Sequence, residues 1–320
     1  MPSRMQVSLM NTGFVLHMQT HLDISDANNW DDTGTTDYTV PANRAGVDFY
    51  IYACQPDQGK VPKILVSPNS TVPTGYTAAS SRKIGGFHCL CADVGTITGH
   101  PLSGYLAGDI LPASVWDLKF RPYCDPAGMV YDSKRHLWVD IYLVSGTGVN
   151  TTPVFGGTIS DNRSWSDFVD DLLAVGKRLP TDLEFQSLAI GSNEETNIDG
   201  SADPVTTGSH SDTAARRMIS NIGCEDCCGA MMQWLWDQSF RVDGIDFVTP
   251  ADPSWAWSAS LGNKGALYRQ GTAGDVKLVA GGAWSNGSYC GSRCRDMGNN
   301  RGATSAVIGG RGVCEHKEVL

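Results

Sequence analysis

GKRLPTDLEFQSLAIGSNEET, residues 176–196, carries the clearest local instruction in this chain. Thr181 is followed three positions later by Glu184, which is the spacing of a capping box. The hydroxyl accepts from the N–H of residue 184, and the carboxylate reaches back to the N–H of residue 181. The helix so opened ends before Gly191, with Leu183, Leu188 and Ala189 supplying much of its apolar content. Just upstream, Trp165, Phe168, Val169, Leu172 and Leu173 recur at i, i+3, i+4, i+7 and i+8, the spacing of one apolar helix face. Ser164 is placed to cap that helix, and Gly176 to stop it in a left-handed conformation. Two short helices in a chain otherwise made of strand and loop signals predict an α+β fold.

Working outward, SVWDLKFRP and HLWVDIYLV alternate apolar and polar residues, as half-buried strands do. They predict a domain spanning 112–320. Before it, VDFYIYA (47–53), KILV (63–66) and KIGGFHCLCADV (83–94) are short β-branched or aromatic runs divided by PNSTVPTG and by Gly/Pro clusters. They predict a small β-sandwich domain over 38–111. Residues 1–37, rich in Asp and Asn, read as a polar, loosely ordered or partner-dependent segment. After Gly191 the regular signals fade as far as residue 280, with short apolar runs such as MMQWLW. So much irregular chain requires internal hydrogen bonds.

Composition narrows the function. With 41% hydrophobic and 18% charged residues, the 320-residue chain can bury a sizeable core. A net charge of −10 without a basic run argues against nucleic acid as partner. No apolar stretch is long enough for a membrane-spanning helix, and the start, MPSRMQVSLMNTGFVLHMQTH, lacks the pattern of a secretory signal. Ten cysteines in a chain of this length read mainly as packed thiols.

The order Gly176-Lys177-Arg178-Leu179-Pro180-Thr181, Gln233-Trp234-Leu235-Trp236, Gly281-Gly282-Ala283-Trp284 and Gly310-Arg311-Gly312 resembles the C-type-lectin fold in its formylglycine-generating-enzyme branch. PTGYTAASSRKIGGFH (73–88), VWDLKFRP (115–122), DPAGM (125–129), LWVDIYL (137–143), GKRLPTDLEFQSLAIGSNEET (176–196), PVTTG (204–208), GSR (291–293) and RGVCEH (311–316) narrow the likeness. They resemble one group within that branch, the phage major tropism determinants, which are tail-fibre-tip proteins diversified by a retroelement. Met297 stands where that family carries a Trp. By this resemblance the chain is expected to begin after the family's intertwined N-terminal β-prism, which leaves homotrimer assembly open.

The resemblance implies a variable region over 281–316 held in a fixed frame. Carried over position by position, the ligand-binding patch comprises Ala283, Ser285, Asn286, Gly287, Tyr289, Asp296, Gly298, Asn299, Ala303, Ser305, Val307 and Ile308. A fold tolerates arbitrary residues only at exposed sites, where a substitution costs about 0.5 kcal/mol or less. All twelve are therefore expected to face solvent, with Trp284, Arg293, Arg311 and Cys314 as the frame. Tyr289 is the one large amphipathic anchor. The implied function is non-enzymatic and needs no cofactor and no metal. It is receptor binding from the virion, with a bacterial cell-surface protein or glycan and other phage tail proteins as partners, and no membrane.

Rival readings exist. Cys290 and Cys294 sit close to the copper-binding cysteine pair of formylglycine-generating oxidases, but with three intervening residues instead of four. A structural baseplate or fibre part is a third reading. Cys224-Glu-Asp-Cys227-Cys228 is too sparse for a zinc site. Gln55-Pro56-Asp57 matches a short lectin sugar motif without its partner motif. His88 reads as a packed histidine, and Glu194, Glu195 and Asp199 as a solvated loop.

Overall fold

The computed structural model describes residues 5–9, 12–16, 22–55, 63–241, 256–257, 262–269 and 274–317. Pro56 and Asp57 of the short sugar motif lie outside them. The chain forms two compact units, one built mainly from residues 1–92 and 106–120, the other from 93–105 and 121–318.

In the smaller unit, β1 (Met5–Leu9) and β2 (Thr12–Leu16) form an antiparallel hairpin. β3 (Asp48–Cys54), β4 (Lys63–Ser67), β5 (Ser81–His88) and β6 (Trp116–Asp117) form an antiparallel sheet in the order β4-β3-β5-β6. These are the aromatic and β-branched runs of the sequence. The SVWDLKFRP run yields only the two residues of β6. Asp117 accepts the N–H groups of Lys119 and Phe120 and turns the chain. One side of the large sheet is covered not by a second sheet of similar size but by the segment that the sequence marks as loose. Trp30 packs edge-on to Phe49 at 4.9 Å, in a cluster with Val66, Phe87 and Cys89. Buried Asp31 accepts Ser67 Oγ at 2.6 Å and the Thr74 N–H at 2.9 Å. Residues 22–37 thus belong to this unit, because Trp30 and Asp31 supply an apolar plug and an acceptor that the sheet lacks. His88 is packed as expected, its Nδ1 3.0 Å from Asp48.

In the larger unit, β7 (Met129–Asp132) and β8 (Leu137–Asp140) join the C-terminal β15 (Val313–Glu315) in an antiparallel sheet of order β15-β8-β7. Helix α1 (Trp165–Ala174) opens on a capping box of Ser164 and Asp167 and ends at Gly176, whose φ is 72°. Helix α2 (Asp182–Leu188) opens on the expected box of Thr181 and Glu184. Phe168, Leu172, Phe185 and Leu188 are buried, whereas Leu173 and Leu183 are exposed, so the buried face of each helix is narrower than its apolar spacing suggests.

β9 (Met232–Arg241), β10 (Ala256–Trp257), β11 (Leu267–Arg269), β12 (Gly274–Gly281), β13 (Gly291–Asn299) and β14 (Ile308–Gly309) make a mixed sheet of order β10-β11-β13-β12-β9-β14. The sequence hides β9 because Met232, Gln233, Trp234 and Leu235 are all buried. A strand covered on both faces loses the period-two signal. The irregular 191–231 chain is held from within. Asp212 accepts the N–H groups of Ala214 and Arg216, Asp226 that of Gly208, and Arg217 pairs with Glu225 at 2.6 Å.

Candidate ligand-binding surface

Between β12 and β14 the chain makes the excursion that carries eleven of the twelve candidate positions, the twelfth, Ile308, opening β14. It leaves β12 through Gly281 and Gly282, with φ of 90° and 82°. A Cβ on Gly282 would lie 2.7 Å from Cys290 Sγ, so the turn is closed to larger residues. The loop closes locally when the Ala283 N–H donates to Asn286 Oδ1 at 2.7 Å and the Asn286 N–H to the Ala283 carbonyl. A 3₁₀ turn over Gly287–Tyr289 leads into β13. After β13, residues 300–307 return to β14, with the Ser305 and Val307 carbonyls accepting the N–H groups of Asn162 and Met232.

The frame beneath is buried and charge-assisted. Arg311 is fully buried. Its guanidinium donates to Gln233 Oε1 at 3.1 Å, to the Asp140 carbonyl at 2.6 Å, to the Ile141 carbonyl at 2.5 Å and to the Glu225 carbonyl. Buried Lys177 meets Asp140 Oδ1 at 2.6 Å. Burial pulls the Lys177 pKa down, but the Asp140 carboxylate outweighs it and holds the ammonium charged. Trp284 packs against three core clusters, and its backbone N–H donates to the Ala230 carbonyl at 2.8 Å. Cys314 is buried. Arg293, expected in this frame, is exposed instead, because its side chain projects from β13 away from the buried Ser292 and Cys294.

The twelve positions do not form one solvent-facing set. Ser285 is exposed, Tyr289 is 42% exposed, and Asn286 and Gly287 are half-buried around the turn. Asp296, Gly298 and Asn299 lie half-buried along β13, where Asp296 accepts the Gly298 N–H. Burial raises the Asp296 carboxyl to about 6. Ser305 is half-buried. Ala283 and Ile308, by contrast, are core residues in the cluster of Val144, Phe168, Trp234 and Val279, and Ala303 and Val307 pack against it. For Ala283 and Ile308 the expectation of exposure is corrected. Ala283 follows the two-glycine turn inward, and Ile308 is committed to the sheet by pairing with Met232.

Sequence reasoning also missed Glu194. Read as a solvated loop residue, it accepts the Ser292 N–H at 2.9 Å and Ser292 Oγ at 2.5 Å, tying the 191–231 chain to the start of β13. Burial raises its pKa. Asn197 donates to the Trp284 carbonyl. A short polar run such as SNEET gives no local sign of partners a hundred residues away. The two cysteines of the oxidase reading are both buried, and burial pushes Cys290 upward and Cys294 up to about 12, which disfavours the thiolates copper requires. Among the described residues no group of three or more His, Cys, Asp or Glu is arranged to hold a metal ion.

Comparison with known proteins agrees with this architecture. A family model described as the Mtd second domain matches residues 7–117, which takes in residues 7–37 of the polar segment. The tail fiber receptor-binding protein of Bordetella phage BPP-1 is 32% identical over 309 residues, covering 89% of this chain and 75% of that protein. The solved Major Tropism Determinant M1 variant matches with a TM-score of 0.71 at 27% identity, over 98% of this chain and 80% of that one. The U1 variant matches with a TM-score of 0.65 at 30% identity, over 86% and 73%. From the shared sequence over most of both chains and the shared fold, the chain belongs to the major tropism determinant family.

Proposed function

We propose that this chain is a receptor-binding tail-fibre protein of a phage virion, using a C-type-lectin-like scaffold to present residues 285–289 and 303–305 to a host-surface protein or glycan. One observation carries the reading. The 283–290 excursion has exposed side chains at its tip, while its ends are held by Trp284, packed on the core, and by the Cys290 carbonyl and the adjoining Ser292, bonded to the Glu195 N–H and the Glu194 carboxylate. The exposed side chains Ser285, Ser288 and Tyr289 can change at a cost of about 0.5 kcal/mol or less, while Asn286 and the frame keep the backbone in place. Tyr289 supplies the large amphipathic contact, with small adaptable residues around it. A patch this small binds weakly in single copy, so display on a trimer or fibre, beside other tail proteins, supplies avidity. No catalytic role is assigned, and the buried Cys290 and Cys294 fit packed thiols rather than an oxidase centre.

The test is Tyr289→Ala in the purified chain, measured by retention on host cells and by thermal unfolding. Retention should fall sharply while the melting temperature stays unchanged. Full retention by the variant would refute the assignment.

A further inference from the structure

The larger unit carries a groove lined by none of the twelve positions. On α2 and just past it, Leu183, Ser187 and Ile190 follow i, i+4 and i+7 spacing and line a groove of about 390 Å³. Leu183 is 55% and Ile190 39% exposed, an aliphatic strip left uncovered by the described residues. Ser187 is only 8% exposed, yet its buried hydroxyl has no hydrogen-bond partner among the described residues. The rim is cationic. Lys134 and Arg135 come from the β7–β8 turn, Lys264 from the loop before β11, and Arg293 from β13. In a chain of net charge −10 this is a local reversal of sign. Lys264 is paired with Glu194 at 3.8 Å, so the rim's excess of positive charge comes from Lys134, Arg135 and Arg293.

We propose that this groove binds an acidic polypeptide segment. An aliphatic side chain of the segment lies on Leu183 and Ile190, its carboxylates sit between Lys134, Arg135, Lys264 and Arg293, and a polar group meets the Ser187 hydroxyl. Among the described residues the lining contains no aromatic ring for a sugar face to stack on, which favours a polypeptide over an acidic glycan. This assignment stands apart from the proposed receptor surface and survives if that role fails.

The probe is a fluorescein-labelled hexapeptide, Asp-Leu-Glu-Asp-Leu-Glu, followed by anisotropy against the full chain. Its Asn-Leu-Gln-Asn-Leu-Gln counterpart and trigalacturonate serve as competitors. The acidic peptide binds, binding weakens with added salt, and neither competitor displaces it. Lys134→Glu with Arg293→Glu weakens it at least tenfold, while the melting temperature holds because both residues lie at the surface. Tyr289→Ala leaves the peptide affinity unchanged, which separates this groove from the other surface. Absence of peptide binding, displacement by the amide peptide, indifference to the double variant, or displacement by trigalacturonate would each overturn the proposal.

Discussion

Replacing Asp296 by Asn should stabilise the protein at neutral pH, and the structure sets the size of the gain. The Asp296 carboxyl lies half-buried on β13, and burial raises its pKa from 3.8 to about 6. Between those values the folded chain holds a proton that the unfolded chain has released. Stability from this group is therefore complete below pH 3.8 and falls as pH rises through 6. At about 1.4 kcal/mol per pKa unit, the loss approaches about 3 kcal/mol at pH 7, an upper bound given the partial exposure of the carboxyl. The amide introduced by Asp296→Asn keeps an oxygen to accept the Gly298 N–H and has no charge to bury. Urea unfolding of both proteins from pH 3.5 to 7 isolates the effect, because all other titrations cancel in the difference. The two should be equally stable at the acid end, with Asp296→Asn ahead by up to about 3 kcal/mol at pH 7. Parallel profiles, or a variant less stable at pH 7, would show that the carboxyl is not held in a desolvated setting.

Other expectations follow from the frame. Arg311→Met strands the Gln233 side chain and three carbonyls and leaves buried Asp140 without one of its compensating charges. Denaturant unfolding should show a loss of about 3–5 kcal/mol or no soluble fold at all, and a loss under about 1 kcal/mol would contradict the network. Gly282→Ala forces a Cβ against Cys290 at a φ of 82° and should cost about 1–3 kcal/mol. A melting temperature equal to wild type would mean the turn has room. Cys290 and Cys294 should resist iodoacetamide at pH 8 in the native protein and react once it is unfolded in urea, as read by mass spectrometry. Labelling of either before unfolding would show an accessible thiolate.

The sequence was most readable where structure is local. The Thr181–Glu184 capping box, the Ser164 cap, the Gly176 stop and the aromatic strands of the smaller unit were visible because each depends on neighbours within a few residues. What could not be read depends on distant partners. β9 is buried on both faces and so lacks alternation, and Glu194 takes its role from Ser292, nearly a hundred positions away. Trp30 and Asp31 sit in a run whose composition suggests disorder, and they become structural only when β4 is alongside. In the candidate surface, family resemblance located the segment and the structure divided it. Exposure at Ala283 and Ile308 could not be judged from residue type, because either residue suits a loop or a core.

That division has an evolutionary consequence. If positions 283, 303, 307 and 308 vary at random alongside the tip, folding acts as a sieve on the repertoire before any encounter with a host. Surviving sequences would stay small or aliphatic at those four places and roam freely at 285 and 289, so the diversity written in the gene exceeds the diversity the particle displays.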